Sequence, residues 1–200
     1  MRIQNYVKTI GVTLTLAALP ILKAPMYAQV KDSIDTFERT VPPQGTTDKD
    51  ILMLAPNPEI KIKGEDKKAK IVVDLSTNTL YKYNDEGKAE SAYLIASGKP
   101  RTPTDKGIRI VSHVETYPYR TAPAKTKRRN NPSAYGPKAI ILNKLNPKTG
   151  EQSQTGEFIH GNNNKSSIGK YVSLGCMRMD NEVIKQLAKE VKRGDIVIIK

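Results

Sequence analysis

Residues 69–96, AKIVVDLSTNTLYKYNDEGKAESAYLIA, decide the fold. Residues 70–75, 79–83 and 92–96 are short runs rich in β-branched and aromatic side chains. Residues 84–87, Asn-Asp-Glu-Gly, have the composition of a hairpin turn. Three short runs around such a turn predict an antiparallel sheet. Comparable runs follow at 107–114, 138–142 and 157–160, and residues 196–199 supply a further strand. One helix is predicted over 180–193, capped by Asp180 at its start and Gly194 at its end, with Val183, Leu187 and Val191 along one face. Strands and helices do not alternate and no repeat or heptad is visible, which argues against a parallel α/β fold. The prediction is a mainly β domain over residues 69–200 with one or two flanking helices.

The chain before this domain has a different texture. Residues 29–68 hold Pro42, Pro43, Pro56 and Pro58 among many charged and hydroxyl side chains. They read as a linker or N-terminal extension with one short helix over 33–39. Residues 1–28 read as an export signal: Arg2 and Lys8 form a positive start, residues 9–22 an apolar run, and residues 24–28 a short exit segment. That run is short for a membrane span, which needs ~20 apolar residues. Cleavage after Ala28 and retention as an uncleaved N-terminal anchor are both open outcomes, because Met26 is larger than the small residue preferred there. Either one places the mature protein outside the cytoplasm, in a periplasm or at a cell wall or surface.

Composition narrows the chemistry. The 200 residues carry 33 Lys and Arg against 20 Asp and Glu, a formal net charge of +13, with two His and one Cys. One Cys excludes an intramolecular disulfide and a Cys-rich zinc site, and two His leave little for any metal centre. Losing Arg2, Lys8 and Lys23 with a signal leaves 30 basic against 20 acidic residues. The excess concentrates over residues 120–148, which hold eight basic and no acidic side chains. Long and without clear periodicity, this segment reads either as a solvated loop or as a lid that attracts anionic polymers of a cell wall. Nucleic acid is an unsuitable partner for an exported protein, and a membrane would be met only through the N-terminus.

The single thiol matters more for being exported, since an idle cysteine is a liability in an oxidising compartment. Cys176 lies in the run Ser173-Leu174-Gly175-Cys176-Met177-Arg178, sixteen residues after His160-Gly161. A histidine can take a thiol's proton and leave a thiolate nucleophile. Gly175 lets the backbone turn sharply, and the N–H groups of Gly175 and Cys176 are candidate donors to an oxyanion. Two residues on, Arg178 would face the same side as Cys176 and hold a substrate carboxylate. Ser173 is a candidate substrate contact better suited to orienting the backbone. Tyr135 and Tyr119 are candidate substrate contacts by position. His113, which shares a strand face with Val111 and Glu115, reads as structural rather than as a competing base.

His160-Gly161 with Ser173-x-Gly175-Cys176-x-Arg178 resembles the signature of the L,D-transpeptidase catalytic domain, also called the YkuD-like domain. Residues 71–74 with 79–81 resemble its opening hairpin. Ser97-Gly98 with Thr102-Pro103-Thr104 and Gly107 resembles its Thr-Pro-x-Gly segment, and Tyr135-Gly136-Pro137 the stretch before its central strand. Leu174 departs from the pattern, since many members carry a His there. The resemblance implies a β-sandwich-like fold and no metal or organic cofactor, with Cys176 as nucleophile, His160 as base and the Gly161 carbonyl orienting the imidazole. It implies peptidoglycan stem peptides as partners. Cys176 would attack a tetrapeptide stem, release its terminal D-Ala through a thioester, and form a 3→3 cross-link. Hydrolysis of the thioester instead would make a carboxypeptidase, and carbapenems would acylate the same thiol. Sortase-type enzymes space their His and Arg farther from the Cys, and papain-like proteases reverse the order. A non-catalytic wall-binding module is a further alternative.

Overall fold

A computed structural model of the chain describes residues 52–200. The export signal and most of the linker reading, including its helix over 33–39, lie outside the described residues.

An eight-stranded sheet in the order β11-β9-β8-β7-β12-β3-β4-β5 forms the body of the domain. Its strands are β3 (Ile71–Asp74), β4 (Thr79–Tyr83), β5 (Ala89–Leu94), β7 (Gly107–Thr116), β8 (Lys138–Leu145), β9 (Gln152–His160), β11 (Met177–Arg178) and β12 (Ile196–Ile199). Neighbours are antiparallel except β12 with β3 and β11 with β9, which run parallel. The sheet curls on itself: Ala96, just past β5, exchanges two backbone hydrogen bonds of 2.8 Å with Arg178 of β11, so the two ends of the sheet meet. A short parallel pair, β6 (Ser97–Gly98) and β10 (Tyr171–Ser173), extends this seam. The fold is mainly β with few helices, as predicted.

The apolar runs are continuous because both faces of the sheet are covered. On β3, Ile71 and Val73 join the main core with Leu80, Ile140, Leu142 and Ile159, while Val72 joins a second cluster with Tyr81 and Tyr83. On β8, Ile140 and Leu142 face that core, while Ala139 and Ile141 meet Phe158 and Tyr119 on the other side. Helix α2 (Asn181–Glu190) packs Ile184 and Leu187 into the main core, and the Asp180 side chain accepts the Glu182 N–H at 2.8 Å as its N-cap. The helix stops earlier than predicted because Val191 is already extended; Gly194, with φ +95°, belongs to the turn into β12 and donates to the Val111 carbonyl at 2.9 Å.

Part of the predicted linker is a β-ribbon. β1 (Glu59–Ile62) and β2 (Glu65–Lys68) pair antiparallel around Lys63 and Gly64, both with positive φ. Backbone bonds from Lys63 to Pro147 and from Ala69 to Pro58, at 2.7 and 2.8 Å, tie the ribbon to the domain.

Candidate active site

β9 ends at His160, and β11 runs beside it with Arg178 opposite His160 and Met177 opposite Ile159. This pairing, rather than the sixteen-residue separation, brings His160 and Cys176 to one place. Both side chains line a cleft of about 330 Å³ with Arg178, Tyr135 and Leu174, and its other wall includes Lys125 and Lys127.

His160 is buried, and its Nδ1 donates to the Gly161 carbonyl. A carbonyl can only accept, so the proton sits on Nδ1 and the Nε2 lone pair is left as the basic site. Burial pushes the imidazole down to about 4, with Arg178 acting the same way against the backbone groups of Gly161 and Tyr135. The Tyr135 ring lies over the imidazole, 4.7 Å between centroids. Tyr119 holds Tyr135 from behind, its hydroxyl donating to the Tyr135 and Gly136 carbonyls at 2.9 Å. Fully buried itself, Tyr119 cannot meet a substrate, which corrects its reading as a contact residue.

Burial also pushes the Cys176 thiol up, helped by Glu157 and opposed by the Phe158 backbone, Arg178 and Arg128. The thiol meets the Gly156 carbonyl at 3.5 Å as a donor. That carbonyl is available because β9 bulges: Phe158 pairs with Ile141 and Gln154 with Asn143, so five residues of β9 span three of β8. Burial thus disfavours the charged form of both groups that meet in the cleft, thiolate and imidazolium alike.

The loop before β11 is tied at the carbonyls of Ser173, Gly175 and Cys176. Ser173, wholly buried, donates through Oγ to the Cys176 carbonyl at 2.6 Å and accepts the Gly175 N–H at 3.0 Å. It shapes the loop and does not line the cleft. The Gly175 N–H, predicted as an oxyanion donor, is thus already engaged, whereas the Cys176 N–H has no partner among the described residues. Thr102 Oγ1 donates to the Ser173 carbonyl at 3.2 Å and Thr104 Oγ1 to the Gly175 carbonyl at 2.8 Å. Thr104 in turn accepts the Gly98 N–H at 2.9 Å. A Cβ on Gly98 would lie 2.3 Å from the Thr102 carbonyl oxygen, which is why only glycine fits. Gly161 is held just as tightly, its would-be Cβ 2.4 Å from Asn181 Oδ1. Asn181 accepts the Asn162 N–H at 2.9 Å and so fixes the turn after His160. Thr104 was marked in the sequence only as part of a motif and Asn181 not at all, because each acts through the backbone of a distant segment.

The basic segment divides by role. Helix α1 (Lys127–Asn130) is latched to the sheet by Arg128, whose Nε and Nη2 both reach the carboxylate of buried Glu115, the second at 3.1 Å. The guanidinium also lies 4.8 Å over the Phe158 ring. Burial opposes ionisation of Glu115, but hydrogen bonds from Arg128 and His113 outweigh it and hold the carboxyl below its ordinary range. His113, half-exposed, meets Glu115 at 3.3 Å and does not line the cleft, in line with its structural reading. Arg129 donates to the Arg120 and Ala122 carbonyls, and Lys144 pairs with Asp105 at 3.2 Å. Much of the charge concentrated here is spent inside the domain.

A family model described as the L,D-transpeptidase catalytic domain, YkuD, matches residues 68–199. A Bacillus licheniformis protein named as a candidate L,D-transpeptidase, YkuD, is 33% identical over 131 residues, 65% of this chain and 64% of its own. Another candidate, YqjB of Bacillus subtilis, is 30% identical over 129 residues, 64% of this chain and 69% of its own. The chain therefore spans slightly less than two thirds of the first relative's length. The solved structure of Bd1075 from Bdellovibrio bacteriovorus, 24% identical, shares the fold with a TM-score of 0.50, covering 72% of this chain and 51% of that one. Since the family match takes in every strand from β3 to β12 along with the cleft-lining His160 and Cys176, the chain belongs to the L,D-transpeptidase catalytic-domain family.

Proposed function

We propose that the chain is a cysteine-dependent L,D-transpeptidase acting on peptidoglycan stems outside the cytoplasm. Carrying this reading is the convergence on one cleft of the sole thiol and a buried imidazole whose Nδ1 is committed to a carbonyl. Because burial disfavours both charged forms, His160 acts as a general base during attack rather than through a preformed ion pair. Nε2 takes the thiol proton as Sγ bonds to the carbonyl carbon between the third stem residue and the terminal D-Ala. The Cys176 N–H donates to the oxyanion. As the tetrahedral intermediate collapses, the C–N bond breaks, the proton passes from Nε2 to the departing D-Ala amine, and a thioester remains. An amine from a neighbouring stem then attacks, gives its proton to His160, and forms the 3→3 cross-link while the thiol is regenerated. Arg178, with Nε buried and without a hydrogen-bond partner, is placed to receive a substrate carboxylate.

The test is intact mass after incubation with a carbapenem, followed by product analysis on a disaccharide-tetrapeptide. A single adduct on the wild type and none on Cys176→Ala is expected, with cross-linked dimer and free D-Ala from the stem. Tripeptide as sole product would replace transpeptidation by carboxypeptidation. An adduct that persists in Cys176→Ala would overturn the nucleophile assignment, and no turnover of any stem would leave a wall-binding module.

A further inference from the structure

We propose that Lys125 and Lys127 select the acyl donor by charge, so that the cleft takes stems with a free carboxylate on the third residue and discriminates against the same stems amidated there. The inference rests on the stem-peptide reading above and adds the class of donor. Three cations line the cleft, Lys125, Lys127 and Arg178, and no Asp or Glu does. His160, held neutral by burial, adds no charge of its own at neutral pH.

The two lysines differ from the other basic groups of the segment. Arg128 is matched by Glu115 and Lys144 by Asp105, while Lys125 and Lys127 are exposed and make no ion pair among the described residues. The backbone that carries them is nonetheless held in place. Thr126, between them, donates through Oγ1 to the Pro123 carbonyl at 2.9 Å, and Arg128, the next residue, is fixed on Glu115. The segment therefore brings two lysines without an ion-pair partner among the described residues to the cleft that Cys176 also lines. A carboxamide has the shape of a carboxylate without its charge, so amidation removes the attraction and little else. A lysine at the third stem position keeps the diaminopimelate ammonium but has no carboxylate, so it should be disfavoured as the amidated stem is.

Binding and turnover are measured separately. Calorimetry on Cys176→Ala, with and without K125Q and K127Q, gives the Kd of disaccharide-tetrapeptides whose diaminopimelate carboxylate is free or amidated. Turnover of the same stems is followed with the otherwise wild-type protein. The free carboxylate should bind about five- to tenfold tighter at low salt, as two near-surface charge pairs allow. The preference should shrink as salt screens it and fall close to one in the double lysine variant. Equal Kd for both stems, or a preference untouched by the double variant, would overturn the proposal. Discrimination in Kd without D-Ala release from any stem would keep the lysine assignment and refute the transpeptidase reading. Iodoacetamide, which is neutral, should label Cys176 equally in wild type and double variant; a loss of labelling would show that the lysines support the site's structure instead of donor choice.

Discussion

Replacing Arg128 by Ala tests whether the lid is latched by charge. Glu115 is 2% exposed, and its carboxylate is met by Arg128 in bidentate fashion and by half-exposed His113 at 3.3 Å. Removing Arg128 strands a buried carboxylate, and breaking such a pair from one side costs about 3–5 kcal/mol. For a domain of this size that is a fall in Tm of roughly 6–20 °C. The sign with pH follows from the depressed pKa of Glu115. Its contribution is present above the ordinary Glu range and disappears as pH falls through the lower folded value, where the carboxyl protonates. The gap between wild type and Arg128→Ala should therefore be largest near pH 7 and narrow in acid. Adding Glu115→Gln to Arg128→Ala should recover much of the loss, because no charge is then left buried. Thermal unfolding at pH 7 and in acid, with the double variant alongside, reads all three expectations. Equal stability at pH 7, or a gap that widens in acid, would refute the latch.

Two further predictions concern the catalytic pair. Gly161→Ala places a methyl 2.4 Å from Asn181 Oδ1 and 2.8 Å from Pro137 Cδ, so it should cost about 1–3 kcal/mol and slow acylation of Cys176; unchanged unfolding and acylation would show that the turn gives freely. Iodoacetamide labelling of Cys176 should climb steadily into the alkaline range above an ordinary thiol, with no plateau between pH 4 and 8, because burial disfavours the thiolate. A shoulder at acid pH would reveal a preformed thiolate–imidazolium pair and reverse the general-base assignment.

The strands that carry the core were legible because their signal is local. Ile71–Val73 and Ala139–Leu142 are apolar at every position since both sheet faces are covered, and such runs read as strands from sequence. Where strands are exposed, the signal fades. Glu65–Lys68 is wholly exposed and charged, so β2 resembled linker, and the polar start of β9 from Gln152 to Gly156 was missed while its buried end was seen. His160 and Cys176 were singled out by residue type and motif, and the structure lines one cleft with both. The loss of the Gly175 N–H was not legible, because it follows from the rotamer of Ser173. Nor was the division of the basic segment, since Arg128 is distinguished from Lys127 only by a carboxylate thirteen residues upstream on another element.

The placement of β12 bears on how this site is held. β12 follows every other strand in the chain, yet it sits mid-sheet, with β7 on one side and β3 on the other. β12 joins β3-β4-β5 to β7-β8-β9 on one side, and the Ala96–Arg178 seam joins them on the other. The Cys176 loop leans on both: it pairs along β9 and is braced by Thr102, Thr104 and the Ala96 seam that follow β5. The geometry of the thiol thus depends on a strand that never touches it, so damage to Ile196–Ile199 would reach Cys176 through both of its supports.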